Sequence, residues 1–252
     1  MTLVDALGAD SGVVCVVGAG GKKTTLYTLA NALDRAAVSA TVRIPIFDGA
    51  VAAVHATDSP EAALAETATW PVGVVAERER EDRYAGYDPD VLDRLAERLR
   101  PRAPPDEALA DVLLVKADGA RTRWLKAPNE REPQLPRRAD VVVPIASARV
   151  VGEPLTDERV HRPERVADLT GLSLGDPIDA ADVASVLASP DGGLKDAPPD
   201  ATVVPLVNMV DDDALERTGR RIAGELLDRS DRVERVVLAQ MIADEPLVAV
   251  VD

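Results

Sequence analysis

The sequence predicts a three-layer α/β fold, a mainly parallel sheet flanked by helices. Three observations carry that reading. Short apolar runs alternate with stretches of helical periodicity along the chain. The first run is continuous: Val13, Val14, Cys15, Val16 and Val17, between Gly12 and Gly18, suit a central parallel strand covered on both faces. Finally, 252 residues, 46% of them hydrophobic, suffice for a sizeable core. With two Trp, three Tyr and one Phe, that core must be built from Val, Leu, Ile and Ala.

The elements follow in order. A Gly-rich turn succeeds the first strand, and Leu26, Leu29, Ala30 and Leu33 then repeat at helical spacing. Val38 to Phe47 reads as the returning strand. Pro45 ends it or places it at an edge, because proline cannot donate to a ladder. Residues 61–68 read as a short helix, 72–76 as a strand, and 88–100 as an amphipathic helix through Val91, Leu92, Leu95 and Leu99. Pro101, Pro104 and Pro105 mark a surface loop. Residues 111–117 form a buried strand ending at Asp118-Gly119, and 140–145 form another. The polar stretch 119–139 between them is either an ordered functional loop or a disordered one. Helices at 163–170 and 179–188, a loop at 189–200, a strand at 202–207, a helix at 212–228 and strands at 233–239 and 246–251 complete the chain. No repeat or linker divides it, so residues 1–252 read as a single α/β domain, with 200–252 completing the sheet.

Acidic residues number 44 against 29 basic, a net charge of −15, and the lysines are Lys22, Lys23, Lys116, Lys126 and Lys195 alone. Such an acidic, Lys-poor chain resembles proteins of a high-salt (halophilic) cytoplasm. Its charge disfavours nucleic acid and anionic membranes, whose phosphates repel it. No apolar run approaches the ~20 residues of a membrane helix, and Met1 to Asp10 carries no signal-peptide pattern. A soluble, cytoplasmic protein is expected. One cysteine, Cys15, and two histidines argue against a disulfide, a zinc site or a multi-His centre. The sequence does not indicate an oligomeric state.

The first candidate site is Gly18-Ala19-Gly20-Gly21-Lys22-Lys23-Thr24-Thr25. A Gly-rich turn entering a helix aims backbone N–H groups at one point, and the helix dipole adds positive potential there, so phosphate is the natural occupant. A lysine at such a turn neutralises β- and γ-phosphate charge, and a neighbouring hydroxyl can ligate Mg²⁺. The pattern G-x-x-x-x-G-K-[ST] is met only in part: Gly21-Lys22 is present, but Val16 replaces the first glycine and Lys23 the hydroxyl residue. Paired lysines at a helix start oppose the dipole and call for a bound anion. The plain alternative is a tight turn with two solvated lysines. A dinucleotide-binding reading is weaker: Lys23 takes the third glycine position, and no acidic ribose ligand follows about 20 residues on. Asp118, ending a buried strand, suits Mg²⁺ held directly or through water; otherwise it is a simple turn residue.

Several segments together resemble the YqeC-type family. They are VVGAGGKKTTLY (16–27), ADGARTRWLKAP (117–128), EP (132–133), VGEPL (151–155), VHRPE (160–164), GGLK (192–195) and VNMVD (207–211). The resemblance implies a P-loop NTPase-like fold, nucleotide binding, and an accessory role in maturing selenium-dependent molybdenum hydroxylases. Three positions depart from the family pattern. Lys23 stands where a hydroxyl residue is usual, Lys116 where an acidic one is usual, and Thr41-Val42-Arg43-Ile44-Pro45 where a Thr-rich strand end is usual. Thr24 or Thr25 offers a substitute hydroxyl, and Lys116 offers cationic charge in place of a metal.

The reading is therefore ATP or GTP with Mg²⁺ on residues 18–25. Lys22 contacts the β- and γ-phosphates, and Thr24 and Asp118 are the metal candidates. Lys22 and Asp118 are the candidate catalytic pair for NTP hydrolysis in the maturation of, or cofactor insertion into, a molybdenum hydroxylase client. The alternatives are a non-catalytic nucleotide- or cofactor-binding chaperone, and a nucleotidyltransferase acting on a molybdopterin-type cofactor. The latter requires an arginine beside the turn, which residues 18–25 lack.

Asn208 and Asp211 fit base recognition or a helix cap. His161 fits proton transfer and Arg162 an anion contact, or both belong to a helix start at Pro163. Lys126 and Lys195, in expected flexible loops, fit a second anion clamp. Arg121 and Arg123 read as solvated, though their loop keeps them in view. Cys15 and His55 are structural.

Overall fold

The computed structural model describes residues 1–252. Helix α1 (Leu3–Leu7) opens the chain, held by a reciprocal cap between Thr2 and Asp5. Strand β1 (Gly12–Gly18), helix α2 (Lys22–Asn31) and strand β2 (Ala36–Ala40) follow. Next come β3 (Ile44–Pro45), β4 (Ala53–Ala56), α3 (Pro60–Ala65), β5 (Val72–Val75), β6 (Glu77–Arg80), β7 (Arg83–Ala85) and α4 (Pro89–Ala96). The middle of the chain gives β8 (Val112–Lys116), β9 (Leu125–Lys126), β10 (Val141–Ser147), β11 (Val160–His161), α5 (Pro163–Thr170) and α6 (Ala180–Ala188). Strands β12 (Thr202–Val203) and β13 (Leu206–Asn208), helix α7 (Asp213–Leu227), and strands β14 (Val236–Ala239) and β15 (Leu247–Val251) close it.

The main sheet runs β15-β14-β13-β10-β1-β8-β2-β5-β4, with β12 also on β10. Its strands pair in parallel except β15, which is antiparallel to β14. Side-chain alternation along β1 sends Val13, Cys15 and Val17 to one face and Val14 and Val16 to the other. The first face packs against Leu92 and Leu95 of α4, Val183 of α6 and Ile222 and Leu226 of α7. The second packs against Leu3 and Leu7 of α1 and Leu26 and Leu29 of α2. This is the three-layer arrangement expected.

Two expected strands are divided, the second of them at a proline. The expected strand 38–47 stops at Ala40, and Ile44–Pro45 leaves the sheet to pair antiparallel with Tyr84 and Arg83 of β7. The expected strand 202–207 is two strands, because Pro205 has no N–H to donate there. Helix α4 ends at Ala96 rather than at residue 100, and β14 begins at Val236 rather than at 233. The stretch 119–139 is ordered and carries β9, which pairs with β11. No helix is long and apolar enough to cross a membrane.

These pairings place β1 at a switch point: the chain passes to β2, β5 and β4 on one side and to β10, β13 and β14 on the other. Ligands of open parallel sheets bind outside the carboxyl ends of the strands at such a point. The ends of β1, β8, β10 and β13 present Gly18, Lys116, Ser147 and Asn208 there.

Candidate functional site

The turn between β1 and α2 demands glycine. Gly18, Gly20 and Gly21 have φ of 86°, 100° and 129°, where side chains are strained. Packing makes the same demand: a Cβ on Gly18 would lie 2.3 Å from Ile145 O, and one on Gly21 2.2 Å from Asn208 Nδ2. Gly21 caps α2 with no side-chain hydrogen bond, leaving the first helical amides, Lys22, Lys23 and Thr24, without a capping acceptor. The amides of Gly20 and Gly21 also have no backbone acceptor. Successive N–H groups from 20 to 24 therefore converge, unanswered, at the helix's positive end. The hydroxyl of Thr25 is spent on Gly21 O at 3.1 Å, whereas Thr24 lines the cleft outside the turn.

That cleft, of about 400 Å³, has seven cations among its fifteen lining residues and no carboxylate: Lys22, Lys23, Arg43, Arg83, Lys116, Arg121 and Arg123. On a chain of net charge −15, this is a pronounced local reversal of sign. Arg43 is held by Glu79 at 2.5 Å and Arg83 lies 3.6 Å from Asp82, but Lys23, Lys116, Arg121 and Arg123 form no ion pair. Lys116 is 7% exposed, and its amine donates to Arg43 O at 2.9 Å. Burial and the nearby Lys22 push its pKa down to about 7. Three lining residues, Arg121 (φ 47°), Thr122 (φ 61°) and Met209 (φ 59°), occupy the left-handed region without being glycine. Each such residue costs about 1–3 kcal/mol, and strain of this kind gathers at functional sites.

Behind the turn, Asp118 is 1% exposed and locked. Its Oδ2 accepts from Gly18 N at 2.8 Å and lies 2.8 Å from Lys126 Nζ. Its Oδ1 lies 2.8 Å from Lys22 Nζ, paired by charge rather than by an aligned hydrogen bond. Lys22 also donates to Gly18 O. Burial alone would raise the Asp118 pKa; Lys22 and Lys126 outweigh it and hold the carboxyl below its ordinary value. Burial lowers the Lys22 pKa, while Asp118 works to keep it charged.

Several expected side chains lie outside the cleft. Lys126 lies in a strand, β9, whereas Lys195 is on the loop between α6 and β12. Lys126 is buried in β9 between Asp118 and Glu132, the latter at 2.8 Å, and Lys195 donates to Glu132 O at 3.0 Å. Arg162 also goes to Glu132, at 2.9 Å. His161 is half-buried in β11; burial and then Arg162 depress its pKa to about 4, so the ring is neutral at pH 7. Asn208 braces the turn, donating to Gly20 O at 2.7 Å and accepting from Met241 N at 3.2 Å. Asp211 pairs with Arg149 at 2.5 Å, while its neighbour Asp212 caps α7. Gly18 and Ala19 are tied to β10 at the carboxyl end of β1, Ala19 N donating to Ile145 O at 2.8 Å. Arg121, exposed to solvent, and Arg123, half-buried, line the cleft from the loop that kept them in view. Arg83, delivered by the β6–β7 hairpin, and the role of Glu132 in joining Lys126, Arg162 and Lys195 were not visible in the sequence.

The donor set does not suit Mg²⁺. The cleft lining offers hydroxyls but no carboxylate, and both oxygens of Asp118 face ammonium groups. No group of three His, Cys, Asp or Glu side chains could hold a metal ion anywhere in the chain.

The family described as YqeC protein matches residues 14–164, from within β1 to the first turn of α5. The chain belongs to the YqeC family. It is 30% identical over 207 residues to the Escherichia coli (strain K12) protein titled "Uncharacterized protein YqeC", covering 78% of this chain and 76% of that one. No solved structure matches. The family match includes the turn, Asp118 and every cleft cation, whereas Lys195, Asn208 and Asp211 lie beyond it.

Proposed function

We propose that this YqeC-family protein binds a nucleoside triphosphate, ATP or GTP, with its phosphate tail on the amides of residues 20–24. The carrying observation is the cleft of seven cations and no carboxylate beside those amides. Lys22 would exchange Asp118 for the phosphates, giving up one anion for another, while Lys126 stays on Asp118 and keeps it paired. The accessory role, in maturing a molybdenum hydroxylase that is selenium-dependent or not, rests on the family resemblance. The locked Asp118 and Lys23 in the hydroxyl position favour a nucleotide-binding chaperone over a metal-dependent NTP hydrolase. Arg43, Arg83, Arg121 and Arg123 meet the arginine requirement of a nucleotidyltransferase, but the lack of carboxylates in the cleft weighs against one.

Calorimetry with ATP and GTP, run beside a phosphate-release assay, tests the reading. Saturable one-to-one binding that weakens with salt is expected, reduced roughly tenfold or more in Lys22→Ala. Little phosphate release is expected. Steady turnover lost in Lys22→Ala would make the protein a hydrolase, and no binding of either nucleotide would remove the proposal.

A further inference from the structure

We infer that the cleft takes its polyphosphate as the free anion, without a divalent cation, and that cationic side chains supply the charge compensation instead. The inference deepens the nucleotide reading and rests on it only for the identity of the ligand.

A triphosphate tail needs its charge met as it leaves water, because an uncompensated buried charge is prohibitively costly. Mg²⁺ does this with phosphate oxygens and its own waters, anchored by one or two protein oxygens, commonly carboxylates. This cleft offers the opposite chemistry. No carboxylate lines it, and the one at the adjoining strand end, Asp118, is 1% exposed between Lys22 and Lys126. A metal ion seated beside it would face two ammonium groups within 2.8 Å of the same carboxylate.

Four of the cleft's seven cations lack counterions. Lys116, nearly buried at the end of β8, has only the carbonyl of Arg43 as a partner, and an arriving anion would hold its amine in the charged form. Lys23 at the start of α2, and Arg121 and Arg123 on the arching loop, form no ion pair in a chain whose acidic residues outnumber its basic ones by 44 to 29. With so many carboxylates available, four unpaired cations around one concavity mark a place for an anion from outside. Guanidinium groups grip phosphate oxygens bidentately, and ammonium groups meet them as point charges. Bound Mg²⁺ would neutralise part of the ligand's charge and bring a cation among cations, so it competes with the site.

The probes are inorganic tripolyphosphate and ATP, titrated calorimetrically into the full chain at fixed ionic strength, with EDTA or with excess MgCl₂. Binding should be roughly tenfold or more tighter in EDTA. Lys116→Met should weaken tripolyphosphate binding by a similar factor while leaving the fold intact, since it removes an unpaired buried cation. The exposed-loop double variant Arg121→Ser/Arg123→Ser should do the same and flatten the salt dependence. Binding that requires Mg²⁺, or tightens with it, overturns the inference while leaving nucleotide binding standing. Tripolyphosphate binding in EDTA with no affinity for ATP or GTP upholds the inference and removes the nucleotide reading. Failure of every probe in both media removes both.

Discussion

Replacing Asp118 by alanine lowers stability by about 3–5 kcal/mol, because it strands Lys22 and Lys126 as buried, unpaired cations. At this chain length the midpoint of thermal unfolding falls by on the order of 10 °C. Asp118→Asn, which keeps the acceptor for Gly18 N but not the charge, loses less. Urea unfolding of the three proteins checks this, and a loss under about 1 kcal/mol would mean that the two lysines relax to water. The pH dependence has a definite sign. The folded-state pKa of Asp118 lies below 3.8, so its contribution is complete above that value. As pH falls further the unfolded chain takes up the proton first, and stability is lost through the folded value. Asp118→Ala removes that part of the acid limb.

The second large effect is at Gly18. Alanine there would hold a Cβ 2.3 Å from Ile145 O at a φ of 86°. Ile145 is the strand partner of Gly18 on β10, so relief requires β1 and β10 to separate where the turn leaves β1. A loss of about 2–4 kcal/mol is expected from strain and overpacking together. The Gly18 amide and carbonyl hold Asp118 and Lys22, so the same substitution loosens the lock behind the turn. Gly49, with nothing within 4 Å of its would-be Cβ and no positive φ, is the control and should accept alanine with little change. Equal tolerance at the two glycines would show that the turn can readjust.

What the sequence disclosed depended on whether a signal was local. The valine run of β1, the glycines after it and the leucine spacing of α2 each report on contiguous backbone, and the β1–turn–α2 unit stands where they place it. Strand β8 likewise ends just before Asp118. Charged and very short elements were missed. Glu77-Arg78-Glu79-Arg80 has no apolar alternation, and β9 and β11 are two residues each, held by pairing with one another. Helix α1, five residues long, is too short for a periodic signal and shows only in its Thr2–Asp5 capping pair. The site itself was half legible. Paired lysines after glycines announced an anion, but Arg83 and Arg121 become its neighbours only through a hairpin and an arching loop. Scarcity in the sequence does not distinguish a cation facing solvent from one tied to a buried carboxylate, as Lys126 is, or to a carbonyl and a neighbouring carboxylate, as Lys195 is.

The central claim concerns particular backbone amides, and amide chemical shifts of isotopically labelled protein titrated with ATP, with and without Mg²⁺, address it most directly. The amides of residues 20–24 should move most, followed by those around Lys116 and of residues 121–123. Saturating ATP that leaves residues 20–24 unmoved, or shifts only amides remote from the cleft, would contradict it.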